Sequence, residues 1–366
     1  TIDFDKMVVK ELADNAADIG GFEYGIDEDG KTISIRNGGN GLSDQDIRKL
    51  FDIKRPLQSS KHWRRGQRGA LGNGIRVALA GCRLCNIQLA VISRGKEHHI
   101  RLLENGDTNI TTLEADVVGA GTLIRLGFPA DKPFRKRRFL AFLDIAQITQ
   151  ETSVVTGKPL ASWFKEEDIN VLVQSLPDLS LGEFIEQFNT KGDIGIEDPT
   201  VGVQAMPAAD LVRLLRSNEG TAKVNPIGES VFEGFYKKVE GIYQDGDARL
   251  PFIVEAWAQA TPCDRDSGDH TIHVITNRTY TLRQANLEVN SGRLKFISGG
   301  YYSTHNKQIN RNHSYTVILS VSSPYIPIIS SGKEPNLLDG AYSTAIKEAL
   351  HYTMKKAGAS NKQRRK

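Results

Sequence analysis

The sequence predicts an α+β protein whose helices and strands are divided over three domains. Residues 1–134 alternate helical and strand patterns and contain three glycine-rich turns. Residues 135–225 are mostly helical, as in Phe139–Thr149 and Ala208–Ser217, with turn-forming Gly, Asp and Pro around 191–199. Residues 226–356 return to a mixed pattern, and residues 357–366 form a basic tail. A chain of 366 residues is long enough for two or three separate cores.

The third domain is predicted to contain a sheet closed by a helix. Pro251–Gln259, His270–Thr276 and Tyr315–Val321 have the β-branched and alternating residues typical of strands. Ala341–Lys356 has apolar residues at helical spacing and predicts the closing helix.

Composition indicates a globular protein of a reducing compartment, which we expect to be the cytoplasm. Hydrophobic residues make up 39% and charged residues 25%, and the absence of a long apolar run argues against a membrane partner. No signal-peptide pattern is present, and Thr1 in place of Met suggests a missing natural start. Cys82 and Cys85 form a C-x-x-C pair, but with only Cys263 remaining we expect buried thiols and neither a disulfide framework nor zinc.

Basic residues are concentrated in two clusters, although the formal net charge is only +3. Such clusters bind nucleic-acid phosphates without regard to sequence, which makes DNA a candidate partner. A solvated linker and a disordered tail are equally compatible with the same residues. The two clusters are Lys132, Arg135, Lys136, Arg137 and Arg138, and Lys362, Arg364, Arg365 and Lys366.

Three polar residues share one face of the first predicted helix. Glu11, Asn15 and Asp18 are spaced i, i+4 and i+7 within a segment whose apolar residues keep helical spacing. This face combines a candidate general base, a neutral oxygen ligand suited to Mg²⁺ and a second carboxylate. Taken alone, the triplet fits a solvated acidic face better than a catalytic site.

Two glycine-rich segments follow that helix. The predicted strand Thr32–Arg36 runs into Asn37-Gly38-Gly39-Asn40-Gly41, where three glycines allow a ligand to approach the backbone closely. Residues 65–74, R-G-Q-R-G-A-L-G-N-G, precede the predicted helix Ile75–Ala80. Backbone N–H groups at such a helix N-terminus favour phosphate.

Taken in order, these segments resemble the nucleotide site of the GHKL ATPases. The order is E-x-x-x-N-x-x-D on a helix, N-x-G-x-G, G-x-x-G-x-G before a helix, and Gly121-Thr122 entering a strand. The resemblance implies a Bergerat-type α/β sandwich that binds ATP with Mg²⁺. It implies that Glu11 orients the attacking water, that Asn15 holds Mg²⁺ and that Asp18 supports the pocket.

The resemblance also implies a set of nucleotide contacts. At the position of Asn37 the family has an aspartate that reads adenine. An aspartate only accepts hydrogen bonds, whereas an asparagine can turn its amide toward either base, so we expect adenine while the selectivity for it stays open. The implied contacts are Asn37, Gly39, Gly41, Gly69, Leu71, Gly72, Asn73, Gly74 and Thr122.

Several segments are similar to the B subunit of DNA topoisomerase VI. They are Ser59-Ser60-Lys61 with Arg65-Gly66-Gln67, Pro226-Ile227-Gly228-Glu229, Asn277-Arg278 and Ser331-Gly332-Lys333-Glu334. The similarity implies a helical middle domain and a transducer-like domain of ribosomal-S5 type. It also implies that Lys61 lies in the lid over the nucleotide and that Lys333 reaches the γ-phosphate.

Three functions remain open at this stage. The first is an ATP-hydrolysing gate subunit that dimerises on ATP, clamps DNA and works with a separate, DNA-cleaving A-type subunit of topoisomerase VI. The second is a stand-alone clamp in silencing, repair or defence, because Gly69–Ile75 also resembles the Microrchidia ATPases and their MutL relatives. The third is a non-catalytic nucleotide-binding scaffold, against which the presence of Glu11 and Asn15 argues.

Overall fold

The computed structural model divides the chain into two compact units. Unit 1 comprises Thr1–Ser60, Arg68–Thr152 and Arg278–Leu282, and unit 2 comprises Lys61–Gln67, Ser153–Asn277 and Arg283–Lys366. The predicted domain boundaries at 134, 225 and 356 stay a prediction. The structure describes residues 3–27, 30–54, 63–66, 68, 73–116, 120–131, 137–263, 270–281, 286–290, 293–298, 301–308, 312–327, 335–337 and 340–363.

Unit 1 is built on a six-stranded antiparallel sheet with strand order β1-β2-β6-β3-β4-β5. Its strands are β1 (Glu23–Ile26), β2 (Thr32–Asn37), β3 (Gln88–Ser93), β4 (Lys96–Leu102), β5 (Thr108–Glu114) and β6 (Thr122–Gly127), together with the short β12 (Thr279–Tyr280). Its helices are α1 (Phe4–Ile19), α2 (Asp44–Phe51), α3 (Gly74–Cys85) and α4 (Arg137–Thr149). The predicted helices around Glu11 and after Asn73, and the predicted strand at Thr32, are therefore confirmed.

Helix α1 lies at the centre of unit 1, in contact with β2, α3 and α4. Its apolar residues recur at helical spacing, so one stripe of the helix is buried. Gly20 and Gly21, both with positive φ, end the helix. The buried stripe consists of Val8, Val9, Leu12, Ala13, Ala16 and Ala17.

Helix α4 belongs to unit 1, whereas the sequence pattern grouped it with the helices that follow it. Its residues Phe139, Phe142 and Leu143 are buried, and the helix contacts α1 and β12. Hydrophobic periodicity predicts that a helix has an apolar face, but it does not identify the element that covers that face.

The first part of unit 2 is helical and surrounds an aromatic core. Its elements are β7 (Val155–Thr156), α5 (Glu166–Ser175), α6 (Leu181–Ile185), α7 (Ala208–Ser217), β8 (Lys223–Val224) and three short 3₁₀ helices, Ala161–Trp163, Val203–Ala205 and Glu229–Val231. Trp63, Trp163, Phe164, Phe184 and Phe188 are buried in one hydrophobic cluster. The predicted helix at Ala208 is confirmed to the residue.

The second part of unit 2 is a sheet covered by the C-terminal helix. Strands β9, β10, β16 and β11 are neighbours in that order, with β11 parallel to β16 and the other pairs antiparallel. Helix α8 packs on β9 and β10. The elements are β9 (Phe235–Asp245), β10 (Ala248–Pro262), β11 (Thr271–Thr276), β16 (His313–Ser322) and α8 (Gly340–Gln363).

The three predicted strands and the closing helix of this region are confirmed. A further antiparallel sheet, β13-β14-β15, was not predicted; its strands are Asn286–Asn290, Arg293–Ser298 and Tyr301–Gln308. The mixture of helix and antiparallel sheet in both units confirms the α+β class. Within the described ranges, no helix combines the length and apolarity needed to cross a membrane.

Candidate functional site

Two of the predicted site residues meet the first residue of α3. A Cβ atom built on Gly74 would overlap Glu11 Oε2 and would lie 3.5 Å from Asn15 Nδ2. Glu11 and Asn15, one turn apart on α1, therefore both face the N-terminus of α3. That end of a helix offers unpaired N–H groups and a partial positive charge, so it favours an anionic ligand.

A buried lysine adjoins the Glu11 carboxylate. Lys10 Nζ lies 3.6 Å from Glu11 Oε1 and 2.9 Å from Asp14 Oδ2, and all three residues are buried. Burial lowers the pKa of Lys10, but the Asp14 and Glu11 carboxylates outweigh it and raise that pKa above its ordinary value. The ammonium group thus holds Glu11 in place. Sequence reasoning missed Lys10 and Asp14, although their i, i+4 spacing is a signal for a helical ion pair.

A second group of polar residues forms a row across three neighbouring strands. Asn37 on β2 pairs with Thr122 on β6, and Thr122 pairs with Ser93 on β3. All three side chains are buried. In the same strands the next two residues on this face are apolar, with Ile35, Ile124 and Val91 in one row and Ile33, Leu126 and Leu89 in the next.

Because side chains alternate between the two faces of a strand, the polar row lies on the covered face of the sheet, at its end. Thr122 was predicted at this position, and Ser93 was missed. A serine that closes the otherwise apolar run Leu89–Ile92 was the available signal.

The Asn37 amide is held by two backbone N–H groups. Gly39 N and Thr122 N donate to Asn37 Oδ1 at 3.2 and 3.3 Å. Gly121, at φ +96°, passes so close to Asn37 that a Cβ would overlap the Asn37 carbonyl oxygen. A glycine is therefore required where β6 begins, because both the positive φ and the close approach exclude a side chain.

The end of α1 joins the two groups of residues. Gly38 N donates to Gly20 O at 2.9 Å, and a Cβ on Gly39 would lie 2.8 Å from Ile19 Cγ2. Asn15 and Ile19 are four residues apart, so about 6 Å of helix separates the α3 end of the site from the Asn37 end. Gly41, at φ +73°, lies beside Ser93 Oγ and the Gly121 carbonyl, which places it at the Asn37 end.

Asp18 has a different neighbour from the other two residues of its triplet. Asp18 Oδ1 lies 3.4 Å from Nε of Arg68, whose side chain is buried. Arg68 also donates to the carbonyl oxygens of Thr149 and Arg278. Burial lowers the pKa of Arg68, and Asp14 and Asp18 oppose that shift. Among its described contacts, Asp18 anchors Arg68 within the glycine-rich segment 65–74, and its support of a pocket stays a prediction.

Several predicted site residues lie outside the described part of the chain. They are Lys61, Gly69, Leu71, Gly72 and Lys333, together with the basic residues Lys132, Arg135, Lys136, Arg364, Arg365 and Lys366. Arg137 and Arg138 begin α4 and Lys362 lies near the end of α8, but their side chains are also outside it. Their predicted roles stay predictions.

The described side chains show which residues could hold Mg²⁺. In the described ranges, no group of three or more His, Cys, Asp or Glu side chains could hold a metal ion. Asn15 faces the α3 N-terminus, and Asn73, at the N-cap of α3, has a buried Oδ1 without a hydrogen-bond partner in the described part of the chain. The Asn73 oxygen fits a cation whose other ligands are phosphate and water, and Asn15 fits it once its amide turns to present Oδ1 in place of the Nδ2 that lies near Gly74.

One solved structure similar to the chain is the ATPase region of Saccharomyces cerevisiae topoisomerase II bound to ICRF-187 (dexrazoxane). The sequence identity is 9%, the TM-score is 0.33, and the match covers 90% of this chain and 76% of that chain. A likeness at this level defines neither a family nor a function. No protein-family model and no curated protein matches the sequence.

Proposed function

We propose that unit 1 binds and hydrolyses a nucleoside triphosphate in the manner of the GHKL ATPases. The observation that carries this proposal is the convergence of Glu11 and Asn15 on the N-terminus of α3. A carboxylate held beside an anion-binding helix end provides a general base next to the place where phosphate would lie. The motif order in the sequence supports the same function and implies ATP as the nucleotide.

In this proposal Glu11 accepts a proton from the attacking water. The water oxygen bonds to the γ-phosphorus as the bond from that phosphorus to its bridging oxygen breaks. Lys10 keeps the Glu11 carboxylate oriented through the 3.6 Å contact. Asn15 would hold Mg²⁺, which neutralises phosphate charge when bound.

We further propose that nucleotide binding drives dimerisation and closes a clamp on DNA, as in the B subunit of topoisomerase VI. The S-S-K, R-G-Q, P-I-G-E and S-G-K-E segments and the two basic clusters support this proposal. The chain has no recognisable DNA-cleaving module, so an A-type subunit would supply cleavage. Sedimentation with a non-hydrolysable analogue should yield a dimer, and a monomer at saturating nucleotide contradicts the clamp.

Turnover of a Glu11→Gln variant tests the hydrolytic function. The amide cannot take the proton, so turnover should fall about 10²- to 10⁴-fold while binding of the magnesium–nucleotide complex is retained. Glu104→Gln is the matched control, because Glu104 is exposed and pairs only with Arg83 among its described contacts. ATP and GTP are measured in parallel. Equal turnover in wild type and Glu11→Gln would contradict the role of Glu11 in hydrolysis and would favour a nucleotide-binding scaffold.

A further inference from the structure

We propose that Asn37 selects a purine with an oxygen acceptor at position 6, such as guanine or hypoxanthine, over adenine. This inference rests on the proposed nucleotide-binding function and concerns the base end of the same site. The sequence favours adenine but leaves the selectivity open, because an asparagine amide can turn. The structure restricts that turn.

The first step concerns the orientation of the amide. Oδ1 of Asn37 receives the N–H groups of Gly39 and Thr122. If the amide turned over, its NH₂ would face both donors, and two buried N–H groups would lose their acceptor. The two backbone groups therefore require oxygen on that side, whatever base is present.

The second step concerns the group that remains. With Oδ1 occupied, Asn37 offers Nδ2 to its surroundings, and Nδ2 only donates. The described hydrogen bonds of the Asn37 side chain both go to Oδ1 and none to Nδ2, even though the residue is only 5% exposed. A ligand at this position satisfies the amide only by presenting an acceptor.

The neighbouring polar side chains do not make the same selection. Ser93 Oγ accepts from Leu42 N at 2.8 Å and lies 3.4 Å from the Gly121 carbonyl oxygen, so its hydrogen bonds are used within the protein. The Thr122 hydroxyl rotates and both donates and accepts, so it suits either base. In the polar row, Asn37 is therefore the residue that presents an unused donor, Nδ2, in a fixed direction.

The two kinds of purine differ at the position-6 group that would meet Nδ2. Guanine and hypoxanthine present O6, an acceptor, whereas adenine presents a 6-amino group, a donor. A donor facing a donor leaves both groups unpaired in a buried site, which lowers affinity by about 10- to 100-fold. Glu11 and Asn15 face the N-terminus of α3, at the opposite end of the site from Asn37, so they act on the phosphates of either nucleotide.

Equilibrium binding of GTP, ITP and ATP to the full chain with Mg²⁺ tests the inference. Wild type should bind GTP and ITP about 10- to 100-fold more tightly than ATP. Agreement between ITP and GTP assigns the selection to position 6 and not to the 2-amino group. Asn37→Asp should reverse the preference, because one carboxylate oxygen keeps both backbone N–H groups while the other accepts from the adenine amine.

Asn109→Asp, the same change on the exposed face of β5, is the control and should leave the preference unchanged. Equal or tighter ATP binding by wild type overturns the selection by Asn37 while the nucleotide-binding function stands. An Asn37→Asp variant that binds all three nucleotides with unchanged ratios also overturns it. Absence of binding by every nucleotide refutes the proposed function itself.

Discussion

Gly74 and Glu11 approach so closely that a methyl group on Gly74 would occupy the position of the Glu11 carboxylate oxygen. The first residue of α3 therefore decides whether Glu11 can point at that helix end. Gly74→Ala should turn the Glu11 side chain away and lower nucleotide turnover by about 100-fold, the usual effect of misplacing a catalytic group by about 1 Å. Steady-state hydrolysis of ATP and GTP measures the change.

Gly81→Ala, seven residues later in α3, is the matched control for Gly74→Ala. A Cβ on Gly81 would lie 2.5 Å from Val8 Cγ2 and 3.3 Å from the Phe4 carbonyl oxygen. This overpacking should cost about 1–3 kcal/mol of stability while the folded protein keeps its turnover. If folded Gly81→Ala lost as much turnover as Gly74→Ala, the contact between Gly74 and Glu11 would not be the cause of the loss.

Lys10 should be needed for stability because it neutralises two buried carboxylates. Lys10→Met removes the ammonium group that pairs with Asp14 and Glu11, and breaking such a buried pair costs about 3–5 kcal/mol. Hydrogen exchange in peptides from α1 measures the loss within unit 1. Unchanged exchange in Lys10→Met would show that the two carboxylates do not depend on the ammonium group.

The same lysine predicts a pH dependence. Because the folded-state pKa of Lys10 is raised above its ordinary value of 10.5, its contribution is complete below pH 10.5 and is lost as pH rises through the folded-state pKa. Lys10→Met should lack this alkaline component. Comparison of the two proteins above pH 10.5 isolates the component from the titration of other groups.

Glu255 should organise the segment around Gly228 in unit 2. It is fully buried and accepts from Ile227 N at 2.6 Å, from Gly228 N at 2.9 Å and from the Tyr236 hydroxyl at 2.8 Å. Glu255→Gln leaves one backbone N–H facing an NH₂ in either amide orientation and should cost about 3 kcal/mol. Tyr236→Phe removes a single hydrogen bond and should cost about 1 kcal/mol.

Urea unfolding followed by tryptophan fluorescence suits this comparison. Trp63, Trp163 and Trp257 are the three tryptophans of the chain, and all belong to unit 2, so the signal reports on that unit. A smaller loss in Glu255→Gln than in Tyr236→Phe would contradict the assigned role of the carboxylate.

Cys82 and Cys85 should differ in reactivity despite their C-x-x-C spacing. Burial, with a smaller effect of Cys85, raises the pKa of Cys82 to about 12, so its thiolate fraction at pH 8 is about 10⁻⁴. Cys85 is only partly buried. Iodoacetamide at pH 8 should label Cys85 first, as peptide mass spectrometry would show, and denaturation should remove the difference. Equal labelling of both thiols in the folded protein would contradict the burial of Cys82.

Much of the fold could be predicted because local patterns determine local elements. The helical spacing of Val8, Leu12 and Ala16 predicts α1 and places Glu11 and Asn15 on one face of it. Gly41 marks the turn after β2, because its φ of +73° is a backbone geometry that only glycine adopts freely. The strands of 286–308 were missed, although Leu287 and Val289 on β13 and Leu294 and Phe296 on β14 alternate with polar residues, as is typical of strands.

The contacts that give the site its chemistry depend on residues far apart in the chain. Glu11 meets Gly74 because α1 and α3 pack together, and no spacing in the sequence encodes that packing. The direction of the Asn37 amide is set by Thr122, 85 residues away, through the β2–β6 pairing. The sequence by itself therefore determined which residues could perform the chemistry, because residue type and periodicity are local. Only the tertiary structure decided which atoms face each other, because strand order and helix packing bring together donors and acceptors that the chain separates.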